Sequence, residues 1–216
     1  MKKYPKITVV TPSFNQGQFI EATIQSVLGQ EYPNLEYIIC DGGSTDGTVD
    51  ILKKYDDKIA WWCSEKDKGQ SNAINKGMRR ATGDIVCWIN SDDVLLPGAL
   101  LAVAKFYSNH PDTDFANGYT VEIDKEGTII NFTHIIMSHF FFRHGCYNIS
   151  QPGMFWKRAI FDKVGYLDEL FHAKMDVEWL IRVYEAGLKV RRINCNLGAI
   201  RIYPETKTAQ GGAIWK

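Results

Sequence analysis

The chain has 216 residues, 25 of them basic and 25 acidic, and a formal net charge of zero. That length suits one α/β domain with a sizeable core rather than two, and the balanced charge argues against nucleic acid or an anionic membrane as the main partner. Five cysteines, an odd number without metal-type C-x-x-C spacing, three of them in apolar strand-like runs as small core residues, point to a reducing cytosol.

Met1-Lys2-Lys3-Tyr4-Pro5 leads directly into a strand, and no window reaches the roughly 18 apolar residues of a membrane span. A soluble cytoplasmic chain without an export signal is expected. Residues 7–11 read as a strand, Ile20, Ile24, Val27 and Leu28 share one helical stripe, and 35–40 read as a second strand. A helix after Asp46, a strand near 59–63, a helix over 70–81, a strand over 85–89 and a helix from Pro97 to about residue 109 follow. Four β-α units in succession imply a parallel sheet, whose ligands collect beyond the carboxyl ends of the strands because loops and helix N-termini converge there.

After Phe115 the regularity fades. Residues 119–123 and 128–132 read as a hairpin about Lys125-Glu126-Gly127, followed by an aromatic stretch that fits neither period. From Gln151 come a strand to Trp156, a helix over 157–164, a helix over 176–186, and strands near 190–193 and 199–203. One domain over 1–216 is expected, with a nucleotide-type half at 1–110 and a second substrate's site at 111–216.

The polar motifs fall at strand ends. Asn90-Ser91-Asp92-Asp93 sets two carboxylates after an apolar run; such groups cost free energy at a core edge unless they are paired or bind something, and Mg²⁺ or Mn²⁺ bridging to phosphates is one solution. An acidic turn before the helix at Pro97 is the other. The first strand ends in Thr11-Pro12-Ser13-Phe14-Asn15 and the second in Asp41-Gly42-Gly43-Ser44-Thr45-Asp46-Gly47. Glycines admit a ligand close to the backbone, Asp41 at the strand tip can accept from a ribose hydroxyl or base N–H, and Asp46 reads as the cap of the next helix. The two leading glycines are adjacent, so no dinucleotide G-x-G-x-x-G is present.

With Asp67-Lys68-Gly69-Gln70-Ser71-Asn72-Ala73-Ile74-Asn75-Lys76-Gly77 added, these motifs and their order resemble family 2 glycosyltransferases of GT-A fold; the resemblance resumes at Gln151-Pro152-Gly153 and at Asp176-Val177-Glu178-Trp179-Leu180-Ile181-Arg182. The resemblance implies inverting transfer from a nucleotide-diphosphate sugar, a UDP-sugar by preference, to a saccharide or lipid-linked acceptor in surface polysaccharide or glycoconjugate synthesis. It places Asp41 at the nucleoside and Phe14 against the base, with Thr11 and Pro12 on the donor side. Asp67, Lys68, Gly69, Gln70 and Asn72 also fall on the donor side. Asp92 serves the ribose, Asp93 an Mn²⁺ or Mg²⁺ cofactor, Asp176 is the general base, and Gln151 and Glu178 lie on the acceptor side. A lipid-linked acceptor would bring peripheral membrane association.

The chain departs from the family pattern in three places. Ser91 stands at the first place of the D-x-D form, Ser91-Asp92-Asp93. Met175 precedes the base where the family often has an acid, and Tyr203 stands where it often has a histidine near the metal. A neutral phenol is a poor cation ligand, which leaves Lys207 to reach for the diphosphate. At a helix N-terminus Asp176 is held ionised by the macrodipole, as a base or as a plain cap. Asn72 and Asn75, three residues apart on one face, can reach a common ligand or a neighbouring loop. The stretch His139-Phe140-Phe141-Phe142-Arg143-His144 is read as core packing ahead of an acceptor surface, and His134, His139 and His144, spaced by five, do not make a metal trio. Two other readings compete: a nucleotidyltransferase, which wants a basic Gly-rich loop that Thr11 to Gly17 lacks, and a non-catalytic sugar- or nucleotide-binding module, which would have no use for Asp176.

Overall fold

The structure is a computed structural model that describes residues 4–133, 144, 151–171 and 173–206. The aromatic stretch around 139–143 and Lys207 lie outside those residues, and His144 is exposed.

Strand β1 (Ile7–Ser13) is buried along its whole length, as a strand covered by helices on both faces must be. It pairs in parallel with β2 (Leu35–Asp41) and β4 (Ile85–Trp88), and β2 pairs in parallel with β3 (Trp61–Ser64). Between them run α1 (Ile20–Leu28), α2 (Thr48–Lys54) and α3 (Gln70–Arg80). The expected parallel β-α succession is therefore present, and its carboxyl ends form one rim.

Beyond β4 the sheet becomes mixed. β8 (Met154–Lys157) runs antiparallel between β4 and β6 (Phe115–Ile123), β9 (Val190–Arg201) lies parallel to β6, and the two-residue β5 (Val94–Leu95) closes that side against β9. β7 (Ile129–Phe132) forms the expected hairpin with β6. The two strands expected at 190–193 and 199–203 are a single strand that keeps its partner through register shifts beside Gly118 and Tyr119. Bulges of this kind break a period-2 pattern without breaking the ladder. The strand expected from Gln151 begins as a 3-10 turn at Gln151–Gly153, and the helix expected over 157–164 is a 3-10 turn at Arg158–Ile160 followed by the short α5 (Phe161–Val164).

Two apolar layers cover the sheet. α1 and α4 (Ala99–Asn109) set Ile24, Val27, Leu100, Val103 and Tyr107 over Ile7, Val9 and Ile39. On the other face α3 and α6 (Met175–Glu185) set Ile74, Met78, Trp179 and Leu180 over Val10, Ile38, Val86 and Trp88. Trp156 packs edge-on to Trp88 at 5.3 Å and against Trp179 at 4.9 Å. Each such side chain contributes roughly 1.5–3 kcal/mol by leaving water. α3 lies so low on the sheet that a Cβ at Gly77 would overlap Val10.

At the amino ends of these strands Glu36 is a hub. Its carboxylate accepts from Lys6 Nζ at 2.7 Å, Thr8 Oγ1 at 2.5 Å, Thr82 N at 2.7 Å and Thr82 Oγ1 at 2.6 Å. The bonds join the bases of β1 and β2 to the turn that leads into β4.

Candidate functional site

A cleft of about 770 Å³ opens at the carboxyl rim, within the size range of small-molecule sites. Pro12, Phe14, Asp67, Gly69, Gln70, Asp92 and Asp93 of the expected donor and metal residues line it. Phe14 is 61% exposed; an aromatic ring left in water at a cleft wall is a face for stacking. Ser13, Gln16, Lys66, Arg201 and Tyr203 also line the cleft, and Ser13 Oγ and Gln16 Oε1 are buried with no hydrogen-bond partner among the described residues. Orphaned buried oxygens cost free energy, and a polar ligand in the cleft would relieve it.

The loops that frame the cleft are held by their own polar groups. Asn15, at φ 51°, donates its backbone N–H to Ser44 Oγ and accepts Thr45 N through Oδ1 at 3.0 Å. Asp46 accepts Gly17 N at 2.8 Å and Thr48 Oγ1 at 2.7 Å. Burial would push its carboxyl up, but these bonds hold it below the usual range; it braces the turn, while the N-cap of α2 is Gly47 rather than the expected Asp46.

Asp41 is placed differently from the expectation. It is buried, and its oxygens accept Gly43 N at 3.1 Å, Ser44 N at 2.9 Å, Ser44 Oγ at 2.5 Å and Ser64 Oγ at 2.6 Å. The carboxylate is spent on the glycine loop and does not line the cleft; what it shapes is the close approach at Gly42, where a Cβ would meet Asp67 Oδ2 at 2.8 Å. Thr11 is corrected outright, because its hydroxyl is buried 3.1 Å from Tyr37 Oη.

The acidic turn divides its labour. Thr23 Oγ1, on α1, donates to Ser91 O at 3.0 Å or to Asp93 O at 2.7 Å and fixes the turn from below. Asp93 is buried; its carboxylate accepts Arg201 N at 2.9 Å and Asn90 Nδ2 at 3.2 Å, while Asn90 Oδ1 accepts Gln70 Nε2 at 2.8 Å. Burial first, and the neighbouring Asp92 second, raise the Asp93 carboxyl well above the ordinary carboxylate range. Asp92 is half-buried and accepts Tyr203 Oη at 2.9 Å. Burial and the Asp92 charge push the Tyr203 phenol to about 12, so it donates a proton here and offers no anionic ligand.

Arg201 ties this turn to the β6–β7 hairpin. Its Nε donates to Asp92 O at 2.9 Å, its Nη1 to Asp124 O at 3.0 Å and Lys125 O at 2.8 Å, and its guanidinium lies 4.9 Å from the Phe19 ring. Sequence reasoning missed it. Its signal was a lone cation at the end of an apolar strand, which is seldom there without partners.

Lys68 and Asn72 do not line the cleft; Lys66 does. Asn72 donates to Glu169 Oε2 at 2.8 Å, so the neighbouring-loop alternative holds for it. Gln151 lies beneath the rim, its Nε2 donating to Trp88 O. Glu178 is not free to act on an acceptor: Arg182 Nε and Nη2 grip it at 2.7 Å and 2.8 Å, and Arg182 also donates to Val164 O and Tyr166 O.

Asp176 is the second residue of α6, entered through Lys174 at φ 56°. Val177 N donates to it at 2.9 Å. Loss of water raises its carboxyl above the ordinary value, against the lowering by the Val177 N–H. Burial thus outweighs the helix terminus, the reverse of the expected balance. It lies outside the residues that line the cleft.

Comparison with known proteins agrees with this architecture. A relative from Bacillus subtilis (strain 168), named as the teichuronic acid biosynthesis glycosyltransferase TuaG, is 45% identical over 133 residues, which is 60% of this chain and 53% of that one. S. aureus TarS in complex with UDP-GlcNAc superposes with a TM-score of 0.74 at 18% identity over 92% of this chain and 59% of that one. The mannosyltransferase PcManGT from Pyrobaculum calidifontis, in complex with GDP-Man and Mn²⁺, gives 0.72 at 17% over 94% and 58%. These likenesses establish the GT-A fold. The chain spans about half the length, or less, of the curated relatives it matches. The model of Glycosyl transferase family 2 matches residues 8–165, from β1 through the acidic turn to the residues just ahead of the Asp176 helix, and the chain belongs to that family.

Proposed function

We propose that this chain transfers a sugar, with inversion, from a nucleotide-diphosphate sugar to a saccharide or lipid-linked acceptor. The observation that carries the proposal is the cleft that brings Phe14, Asp67, Gln70 and the Asp92–Asp93 turn together around two buried oxygens that have no partner among the described residues. The teichuronic acid relative supports a place in surface polysaccharide synthesis. The setting proposed is the cytoplasm, at the membrane face when the acceptor is lipid-linked; among the described residues no helix is long and apolar enough to cross a membrane.

The donor set fits Mn²⁺ or Mg²⁺. Such an ion takes one or two carboxylates and leaves its other places to phosphate oxygens and water, and among the described residues no third His, Cys, Asp or Glu joins Asp92 and Asp93 to enclose it. The resemblance puts Asp93 on the ion and Asp92 on the ribose; because Asp93 is buried and engaged by Arg201 and Asn90, we assign Asp92 instead as the residue that would hold the ion, and Asp93 as its support. When bound, the ion neutralises charge on the departing diphosphate. Phe14 stacks on the base, Gln16 and Ser13 hydrogen-bond the donor, and Asp176 takes the acceptor proton; a carboxyl raised by burial is a better match to a neutral working pH than an ordinary one.

A nucleotide-sugar panel with Mn²⁺ or Mg²⁺, read both as nucleoside diphosphate release and as thermal stabilisation, tests this. Release of UDP with tighter binding of UDP than of GDP is expected. Pyrophosphate release from a nucleoside triphosphate and a sugar 1-phosphate, supplied in place of the nucleotide sugar, would support a nucleotidyltransferase, stabilisation without turnover a binding module, and tighter GDP binding would overturn the uridine preference.

A further inference from the structure

The polar face of α3 that the sequence offers to a ligand is turned instead toward the segment leading to Asp176. Ser71 Oγ donates to Phe171 O at 3.1 Å, Asn72 Nδ2 to Glu169 Oε2 at 2.8 Å, and Asn75 Nδ2 to Leu167 O at 2.8 Å and Glu169 Oε1 at 3.0 Å. Asn75 Oδ1 in return accepts Leu167 N at 3.0 Å. Arg79, one turn on, lies 3.8 Å from the same carboxylate. Ser71 and Asn75 are buried, and buried amides fix a unique arrangement because leaving them unpaired is costly.

Two features separate this clamp from ordinary core completion. Leu170 and Phe171, inside the held segment, remain 85% and 42% exposed, so the bonds order a surface. The same helix begins at the cleft, where Gly69, Gln70 and Ala73 line the wall and Gln70 reaches Asn90 of the acidic turn.

We infer that Asn72, Asn75 and Glu169 are positioning residues that hold the 167–171 segment, and with it the acceptor side at Asp176, in register with the donor end of α3. This rests on the sugar-transfer reading. Hydrogen bonds from Asn75 and Asn72 keep the Glu169 carboxyl low and hence ionised as an acceptor. One rigid helix then sets the spacing between donor and acceptor, where misplacements near 1 Å can cost two orders of magnitude in rate.

Asn72→Asp would turn a donor into a second carboxylate against Glu169, on a half-buried side chain; Glu169→Gln in the same chain would restore a donor. With phenyl glycosides as acceptors and UDP-sugars as donors, Asn72→Asp should lower kcat/KM for the acceptor about tenfold or more. UDP affinity by calorimetry should hold within about twofold, amide exchange over 168–171 should quicken, and the double variant should recover most of the loss. Unchanged acceptor kinetics and exchange in Asn72→Asp would overturn the clamp, as would an equal fall in UDP affinity and transfer. A wild-type chain that releases no UDP counts against the sugar-transfer reading, and the exchange comparison then decides the clamp by itself.

Discussion

At Asp93 the backbone amide of Arg201 and the side-chain amide of Asn90 share one buried carboxylate, whereas Asp92, its neighbour, faces the phenol of Tyr203. Their substitutions should therefore fail differently. Asp93→Ala leaves two donors without an acceptor, at about 1–3 kcal/mol for a buried group, and should lower the melting temperature with or without ligand. Asp92→Ala takes the acceptor from the Tyr203 phenol, should lower the melting temperature less than Asp93→Ala does, and should lose the metal dependence of UDP binding. Calorimetry with and without Mn²⁺ separates the two, and a destabilised Asp92→Ala beside a fully stable Asp93→Ala would reverse the assignment. On the acceptor side, Asp176→Asn preserves volume but cannot take a proton. Transfer should fall roughly 10²- to 10⁴-fold while UDP still raises the melting temperature. Near wild-type turnover would remove Asp176 as the base, and Glu178, locked to Arg182, would not replace it.

Among the elements, the amino ends of β1 and β2 owe part of their pairing to Glu36. Burial opposes its charge, yet the bonds from Lys6, Thr8 and Thr82 prevail and bring the carboxyl from 4.5 to about 2. In the unfolded chain it takes up its proton near the ordinary value, so the stabilisation is complete above that value and lost as pH falls toward about 2. Water screens the Lys6 pair, and about 1–2 kcal/mol is expected overall. Urea melts of wild type and Glu36→Gln should differ most near pH 6 and converge toward pH 2; a gap that stays constant with pH would discount the charged hub. The first four β-α units were legible in the sequence because period and punctuation agree there, as at Ile20, Ile24 and Val27 on α1. β9 was not legible as one strand, since its bulges beside Gly118 and Tyr119 depend on a partner far away in the chain, and β5 is only two residues long. The same limit governs the site. Phe14, Asp67 and the acidic turn announce themselves at strand ends, whereas nothing local says whether Asn72 points to the cleft or to Glu169, or that Asp41 is spent on Ser44 and Ser64.

Across the whole molecule, the sheet carries its two kinds of polar cluster at opposite ends. The Glu36 hub ties strands together at the amino ends, and the acidic turn, the glycine loop and Phe14 gather at the carboxyl rim. Selection can therefore act on the two ends almost separately. Loop changes at Phe14, Lys66 or Gln16 would trade one donor for another while the hub keeps the strands in register, and a lesion at Lys6 or Thr82 would thin the folded population without altering what the survivors recognise. A chain divided in this way can drift through substrates while remaining the same scaffold.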